Sequence, residues 1–298
     1  MKLLLLFSLP FFLWISFSNY SAERKSYENY DTRLSKAYSD TFNGKAYNII
    51  EIQRVKSNET LKVKTKYFAA ANLYGESVYE RYLNWALGKK IIVASVGSYV
   101  NEMYLPVGLT VDNGVIINRT LSSEFDGLVI VYAKGGVVVS NIADGNLSIK
   151  CDGVDRKYDI RKPLDREEFL ECAQQVEATF FQTHLLVYQN QMKINYKDAP
   201  PFNRRCERRV LAICRNNSDS ITHFFVSTEI AMNLFDASQN IFDYLIQRRG
   251  VKEVIGMVNL DTGIGDTFQM FNPDGTLSEF MKGRRDLKLA SSLLVYYE

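Results

Sequence analysis

The chain has 298 residues, 46% of them hydrophobic and 23% charged, with a formal net charge of +2. That length supports one large or two small well-buried domains, and so even a charge balance gives no reason to expect nucleic acid as a partner. Two histidines in the whole sequence exclude a multi-histidine metal centre within one chain.

In chain order, Lys2 precedes an apolar run from Leu3 to Phe17 broken by Ser8, Pro10 and Ser16. The run is shorter than the ~20 residues that span a bilayer. Its positive start, short apolar core and small residues at Ser16 and Ser18, or at Ala22, are the pattern of a cleavable secretory signal. Residues 1–22 are therefore expected to direct export to the periplasm, cell surface or medium, with an uncleaved anchor as the alternative. No later stretch is long and apolar enough to cross a membrane, so no span is expected after signal removal. Residues 23–44 are polar and aperiodic, which predicts a flexible leader.

Order is expected from Lys45. Strands are predicted at Tyr47 to Val55 and Leu61 to Tyr67 around a turn at residues 56–59, and at Ile91 to Ser95. Hairpins follow: Leu105 to Val111 with Val115 to Asn118 around Asp112-Asn113-Gly114, and Leu128 to Ala133 with Val137 to Ile142 around Lys134-Gly135-Gly136. Lys157 to Ile160 reads as a short strand. A helix capped by Asp165, with Glu168 three residues on, carries Phe169, Cys172, Val176 and Phe180 at helical spacing. Strands come next at Leu185 to Tyr188, Val210 to Cys214 and His223 to Ser227. A second helix from about Ala237 to Arg249 is capped by Asp236 and stopped by Gly250. Val254 to Leu260, a hairpin around residues 272–275 and Ser291 to Tyr296 complete the set. The expected fold class is α+β: a single domain over residues 45–298 with a largely antiparallel or mixed sheet, several β-hairpins and two main helices.

The motifs of kinases, NTPases, dehydrogenases and α/β-hydrolases are missing. In Asn259-Leu260-Asp261-Thr262-Gly263, a carboxylate ends a buried strand before a glycine turn; it either faces a ligand or caps the turn. Arg208 and Arg209, in a basic cluster with Arg204 and Arg205, offer planar forks suited to phosphate, or form a solvated face. Alternation puts Arg208 and Arg209 on opposite sides of a strand. His184, at an element boundary, is a candidate general acid or base as well as an ordinary hydrogen-bonded histidine. Four cysteines, Cys151, Cys172, Cys206 and Cys214, allow two disulfides in three connectivities, and Cys172 also fits a buried thiol.

Four segments, in this order, resemble the phosphodiester glycosidase family. Ile92-Val93-Ala94-Ser95-Val96-Gly97-Ser98-Tyr99 is similar to its strand leading into Asn-Gly-Gly-Phe, and Pro106-Val107-Gly108-Leu109 to its Pro-x-Gly-Leu hairpin. Phe181-Gln182-Thr183-His184-Leu185-Leu186-Val187 resembles its Gln-x-Gly-Pro-Leu-Leu-Val segment, and Val258-Asn259-Leu260-Asp261-Thr262-Gly263 its Leu-Asp-Gly-Gly signature. The resemblance implies an exported hydrolase that frees a sugar from a sugar-1-phosphodiester in surface or envelope glycans. It makes Asp261 the catalytic or sugar-binding carboxylate and gives Arg208 or Arg209 the phosphate. Gly97, Ser98, Asn259, Thr262 and Gly263 are expected to line the substrate, with His184 as a second catalytic residue. Val96, Ser98, Thr262 and His184 depart from the family pattern, which keeps open a non-catalytic glycan-binding or envelope protein on the same fold. A third reading is a glycosidase with paired carboxylates, Asp261 with Asp266 or Glu102. No cofactor or metal ligand is predicted, a divalent cation stays open, and the sequence does not indicate an oligomeric state.

Overall fold

The computed structural model describes residues 34–57, 60–70, 77–194 and 204–298. The signal segment and the first part of the leader lie outside the described residues. The last part of the leader is corrected: Ser35–Phe42 is strand β1, paired antiparallel with β2 (Lys45–Gln53). β1 is an edge strand, and polar residues fill most of it because only Ser35 and Ala37 are buried. The two short strands β3 (Lys56–Ser57) and β4 (Thr60–Leu61) precede β5 (Lys64–Ala69). Helix α1 (Val78–Ala86) was not anticipated. It opens on a capping box in which Ser77 Oγ accepts from Glu80 N–H and the Glu80 carboxylate accepts from Ser77 N–H.

Strands β6 (Ile91–Ser95), β7 (Thr110–Asp112), β8 (Val115–Asn118), β9 (Gly127–Val131) and β10 (Val137–Asn141) fall where expected. At the β7–β8 turn, Asn113 and Gly114 have φ of 51° and 77°, the conformations that this Asn-Gly step predicts. A further hairpin joins β11 (Leu147–Cys151) to β12 (Val154–Tyr158). Helix α2 (Pro163–Gln175) starts after Lys162, so the expected Asp165 cap is corrected: Pro163 sets the first turn, and the Asp165 carboxylate accepts from Asp159 N–H at 3.0 Å. Phe169 and Cys172 are buried on this helix, whereas Val176 ends it exposed and Phe180 already belongs to β13 (Phe180–Thr183).

Then come β14 (Leu185–Tyr188), β15 (Gln191–Met192), β16 (Arg209–Asn216) and β17 (Ile221–Thr228). Helix α3 (Leu234–Arg249) is capped by Asn233, whose Oδ1 accepts from Asp236 N–H at 2.7 Å; Asp236 is thus a residue of the first turn and not the cap. Strands β18 (Val251–Leu260), β19 (Phe268–Phe271), β20 (Leu277–Lys282) and β21 (Ser292–Tyr297) follow.

The strands form a seven-stranded sheet ordered β1-β2-β17-β16-β18-β14-β15 and two five-stranded sheets, β10-β9-β13-β7-β8 and β20-β19-β6-β21-β5. Every strand pair in them is antiparallel. The fold is accordingly the expected α+β class, with three α-helices instead of two. The predicted neighbours β2 and β5 belong to different sheets.

Strand alternation sorts the core. Leu211 and Ile213 of β16 face inward with Ile50, Phe181, Phe225, Val258, Phe268 and Tyr296, so all three large sheets close on one shared interior. Val210, Ala212 and Cys214 face outward, where α3 covers them with Ile241, Tyr244 and Leu245. The second sheet is covered by α2 through Phe169 and Leu170, and the third by α1 through Val78 and Tyr82. Each helix thus covers the outside of one sheet. Cys151 and Cys172 form a disulfide between β11 and α2, while Cys206 and Cys214 are free thiols. No helix among the described residues is long and apolar enough to cross a membrane.

Candidate functional site

Strand β18 ends at Leu260 and delivers the turn 261–266. Asp261 is only 4% exposed. Its Oδ1 accepts from Gly263 N–H at 2.7 Å, and the N–H groups of Val100 and Gly265 also donate to its carboxylate. A Cβ at Gly265 would stand 2.6 Å from Asp261 Oδ2 and 2.7 Å from Val100 Cγ2, so the turn closes around the carboxylate only with glycine there. Burial pushes the Asp261 carboxyl above the usual range, the three N–H donors pull it back, and nearby Asp266 adds to the rise.

Tyr99, just beyond β6, is the hub beside this turn. Its hydroxyl accepts from Asn259 Nδ2, and its ring stands edge-on to His184 at 5.2 Å, with Phe125 packed on His184 at 4.5 Å. Burial pushes the Tyr99 hydroxyl up; the Asn259 hydrogen bond and Arg208 lower it, and Asp261 raises it. His184 is pushed down to about 4, first by burial and then by Arg208, against a backbone hydrogen bond with Glu124. Its imidazole is therefore neutral at neutral pH. Asn259 N–H donates to His184 O at 3.1 Å and Thr183 Oγ1 to Asn259 O at 2.6 Å, fastening β18 to the start of β14. Asn259 Oδ1 is buried without a hydrogen-bond partner. His184 and Asn259 thus contact Tyr99, and the charges of Asp261 and Arg208 act on its hydroxyl.

Arg208 and Arg209 diverge, as strand alternation requires. Arg208 Nε donates to Met232 O at 3.1 Å and its Nη2 to Arg204 O at 2.5 Å. Arg209 turns inward: Nη1 donates to Asp266 Oδ1 at 2.5 Å, Nε to Ser227 Oγ at 3.1 Å, and the guanidinium lies over the Phe268 ring at 4.4 Å. Asp266 Oδ2 accepts from Arg284 N–H at 3.1 Å, so both its oxygens are engaged. Glu102 is exposed.

Gly97 and Ser98 face the interior. A Cβ at Gly97 would meet the Tyr67 ring at 2.5 Å, and Ser98 Oγ donates to Ser292 Oγ at 3.0 Å. Thr262 Oγ1 donates to Glu207 O at 2.7 Å, tying the turn to the segment before Arg208, and Gly263 is exposed. Among the described residues, no group of three or more His, Cys, Asp and Glu converges on a metal-sized site.

Sequence reasoning quoted Tyr99 and Gln182 inside motifs without giving them roles. Gln182 is fully buried. Its Oε1 accepts from the N–H groups of Leu109 and Ser122 at 3.0 and 2.9 Å, while Nε2 donates to Ser122 O and Phe125 O at 2.8 and 2.5 Å. One side chain thereby holds the loop that presents Phe125 to His184. A single buried amide leaves no periodic signal, so only the structure reveals it.

No protein-family model matches the chain, and no curated protein sequence matches it. Among solved structures it is similar to a hypothetical protein of Synechocystis, at 12% identity and TM-score 0.50, over 89% of this chain and 62% of that one. It is also similar to the zebrafish N-acetylglucosamine-1-phosphodiester alpha-N-acetylglucosaminidase catalytic domain auto-inhibited by its pro-peptide, at 15% identity and TM-score 0.48, over 88% and 81%. A candidate exported protein of Burkholderia pseudomallei K96243 matches at 9% identity and TM-score 0.46, over 88% and 74%. At 12% identity the Synechocystis match speaks to fold alone.

Proposed function

We propose that this protein is an exported hydrolase of sugar-1-phosphodiester bonds, with Asp261 and His184 as its acid–base pair. The observation that carries the reading is that His184 stands edge-on to the Tyr99 ring at 5.2 Å while the Asp261 charge acts on the same residue's hydroxyl, with the two proton affinities moved in opposite directions. Paired titratable groups whose environments push their pKa values apart suit acid and base roles. The motif resemblance supplies the substrate class. In this reaction water attacks the anomeric carbon and gives its proton to neutral His184. The anomeric C–O bond breaks, and the phosphate monoester departs with its negative charge facing Arg208. Asp261, whose proton affinity burial raises, is the acid of the pair and gives its proton to the departing phosphate oxygen.

Asp261→Asn should lower release of reducing sugar from a sugar-1-phosphodiester by at least about a hundredfold, with the circular dichroism spectrum unchanged. Wild-type release by that variant removes Asp261 from the mechanism. A second reading, a glycan-binding protein without catalysis, is favoured by one observation: backbone N–H groups already occupy the Asp261 carboxylate. Sugar-phosphate binding by the wild-type protein without turnover, in the presence or absence of divalent cations, would select it.

A further inference from the structure

On the outer side of the β20-β19-β6-β21-β5 sheet, a cavity of ≈ 520 Å³ opens between α1 and the segment 282–288. Part of the lining is apolar: Tyr79 and Leu83 from α1, and Phe271 and Leu277 of the β19–β20 hairpin. Leu83 and Leu277 are 43% and 62% exposed, a large apolar surface to leave at a cavity rim. The rest is rich in cations, with Lys282, Arg284, Arg285 and Lys288 beside a single lining carboxylate, Asp286.

Lys282 is paired with Glu279 and Arg284 with Glu207. Among the described residues, neither Arg285 nor Lys288 has a carboxylate partner. Arg285 is nevertheless held in place, with its guanidinium 4.1 Å from the Tyr104 ring centroid and Nη1 donating to Ile264 O at 2.9 Å. A positioned guanidinium and a nearby ammonium, both short of an anion, lie beside aromatic and aliphatic surface. An anionic group between them gains charge-assisted hydrogen bonds, and the apolar faces of sugar rings pack on the apolar part of the lining.

We propose that this cavity is a binding site for an anionic oligosaccharide, separate from the Tyr99 corner. The proposal does not depend on hydrolysis. Because Arg285 is bonded to Ile264 in the 261–266 turn, a chain seated in the cavity lies alongside the turn that carries Asp261.

Calorimetric titration of the full protein with three pentasaccharides tests it: one phosphodiester-linked, one an oligogalacturonate and one neutral maltopentaose. At least one anionic probe should bind, more weakly as salt rises, and the neutral probe should bind at least about tenfold more weakly. Preference between the two anionic probes identifies phosphate or carboxylate as the recognised group. Arg285→Ala and Lys288→Glu should each lower affinity about tenfold. Lys288 is exposed, so Lys288→Glu decides the matter if Arg285→Ala fails to fold. No binding of either anionic probe, equal binding of the neutral one, or wild-type affinity in Lys288→Glu overturns the proposal. Binding without sugar release supports it while removing the hydrolase reading.

Discussion

Replacing Gln182 by Met keeps the volume of this buried side chain nearly constant and removes all four of its hydrogen bonds. The bonds to Leu109 N–H and Phe125 O are fully buried, whereas the two to Ser122 are partly buried. Leaving a buried donor or acceptor unpaired costs about 1–3 kcal/mol each, so the two buried groups alone amount to about 2–6 kcal/mol. That is a large part of the total stability of an ordinary domain. Urea unfolding followed by fluorescence should show a lowered midpoint with an unchanged slope, the sign of a change in stability and not in compactness. The same substitution should loosen Phe125 and let water reach His184, raising the histidine's pKa toward its ordinary value in an NMR titration. A Gln182→Met protein within about 0.5 kcal/mol of wild type would refute the reasoning, because that is the range of surface changes that break nothing.

The depressed His184 pKa makes stability depend on pH with a definite sign. Below 6.5 the unfolded chain binds a proton that folded His184 accepts only near 4, so stability falls as pH drops from 6.5 to about 4, by roughly 3 kcal/mol for this residue. Buried His223, also held well below its ordinary value, adds in the same direction; His184→Gln should therefore flatten the pH profile of the unfolding midpoint only in part. Breaking the disulfide by Cys151→Ser, which opens a link of sequence separation 21, should cost about 3 kcal/mol, and thiol titration of the unfolded wild type should rise from two groups to four on reduction. Arg209→Ala should cost about 3 kcal/mol in urea unfolding because it leaves buried Asp266 with only the exposed Arg284 guanidinium, 4.0 Å away, as counter-charge; a loss under 1 kcal/mol would show that the pair is solvated.

Local chemistry made much of the fold legible. Asn113-Gly114 and Gly135 announce hairpins because few other residues take their backbone angles, and Gly250 stops α3 for the same reason. Edge strand β1 escaped because its exposed positions dilute the alternation on which such a reading depends. Helix α1 escaped because nine residues give a short stripe, although Ser77 and Glu80 already spelled its cap. At the candidate site the sequence supplied Asp261, His184, Asn259 and Arg208. It gave no means of seeing that Arg209 would be held by Asp266, or that Ser98 would turn toward Ser292, because both outcomes depend on contacts between distant segments. Disulfide pairing was illegible for the same reason: spacing allowed three connectivities, and only the packing of β11 on α2 selects Cys151 with Cys172.

Strand β21 follows all the other described strands in the sequence, yet it lies between β6 and β5 in the middle of its sheet. Until Ser292–Tyr297 has been synthesised, β5 and β6 have no partner between them, and the shared interior lacks Leu294 and Tyr296. A nascent chain therefore has to extend as far as Tyr297 before that sheet can close, and non-local pairings of this kind form slowly. Such delay exposes unpaired strand edges to aggregation for as long as it lasts.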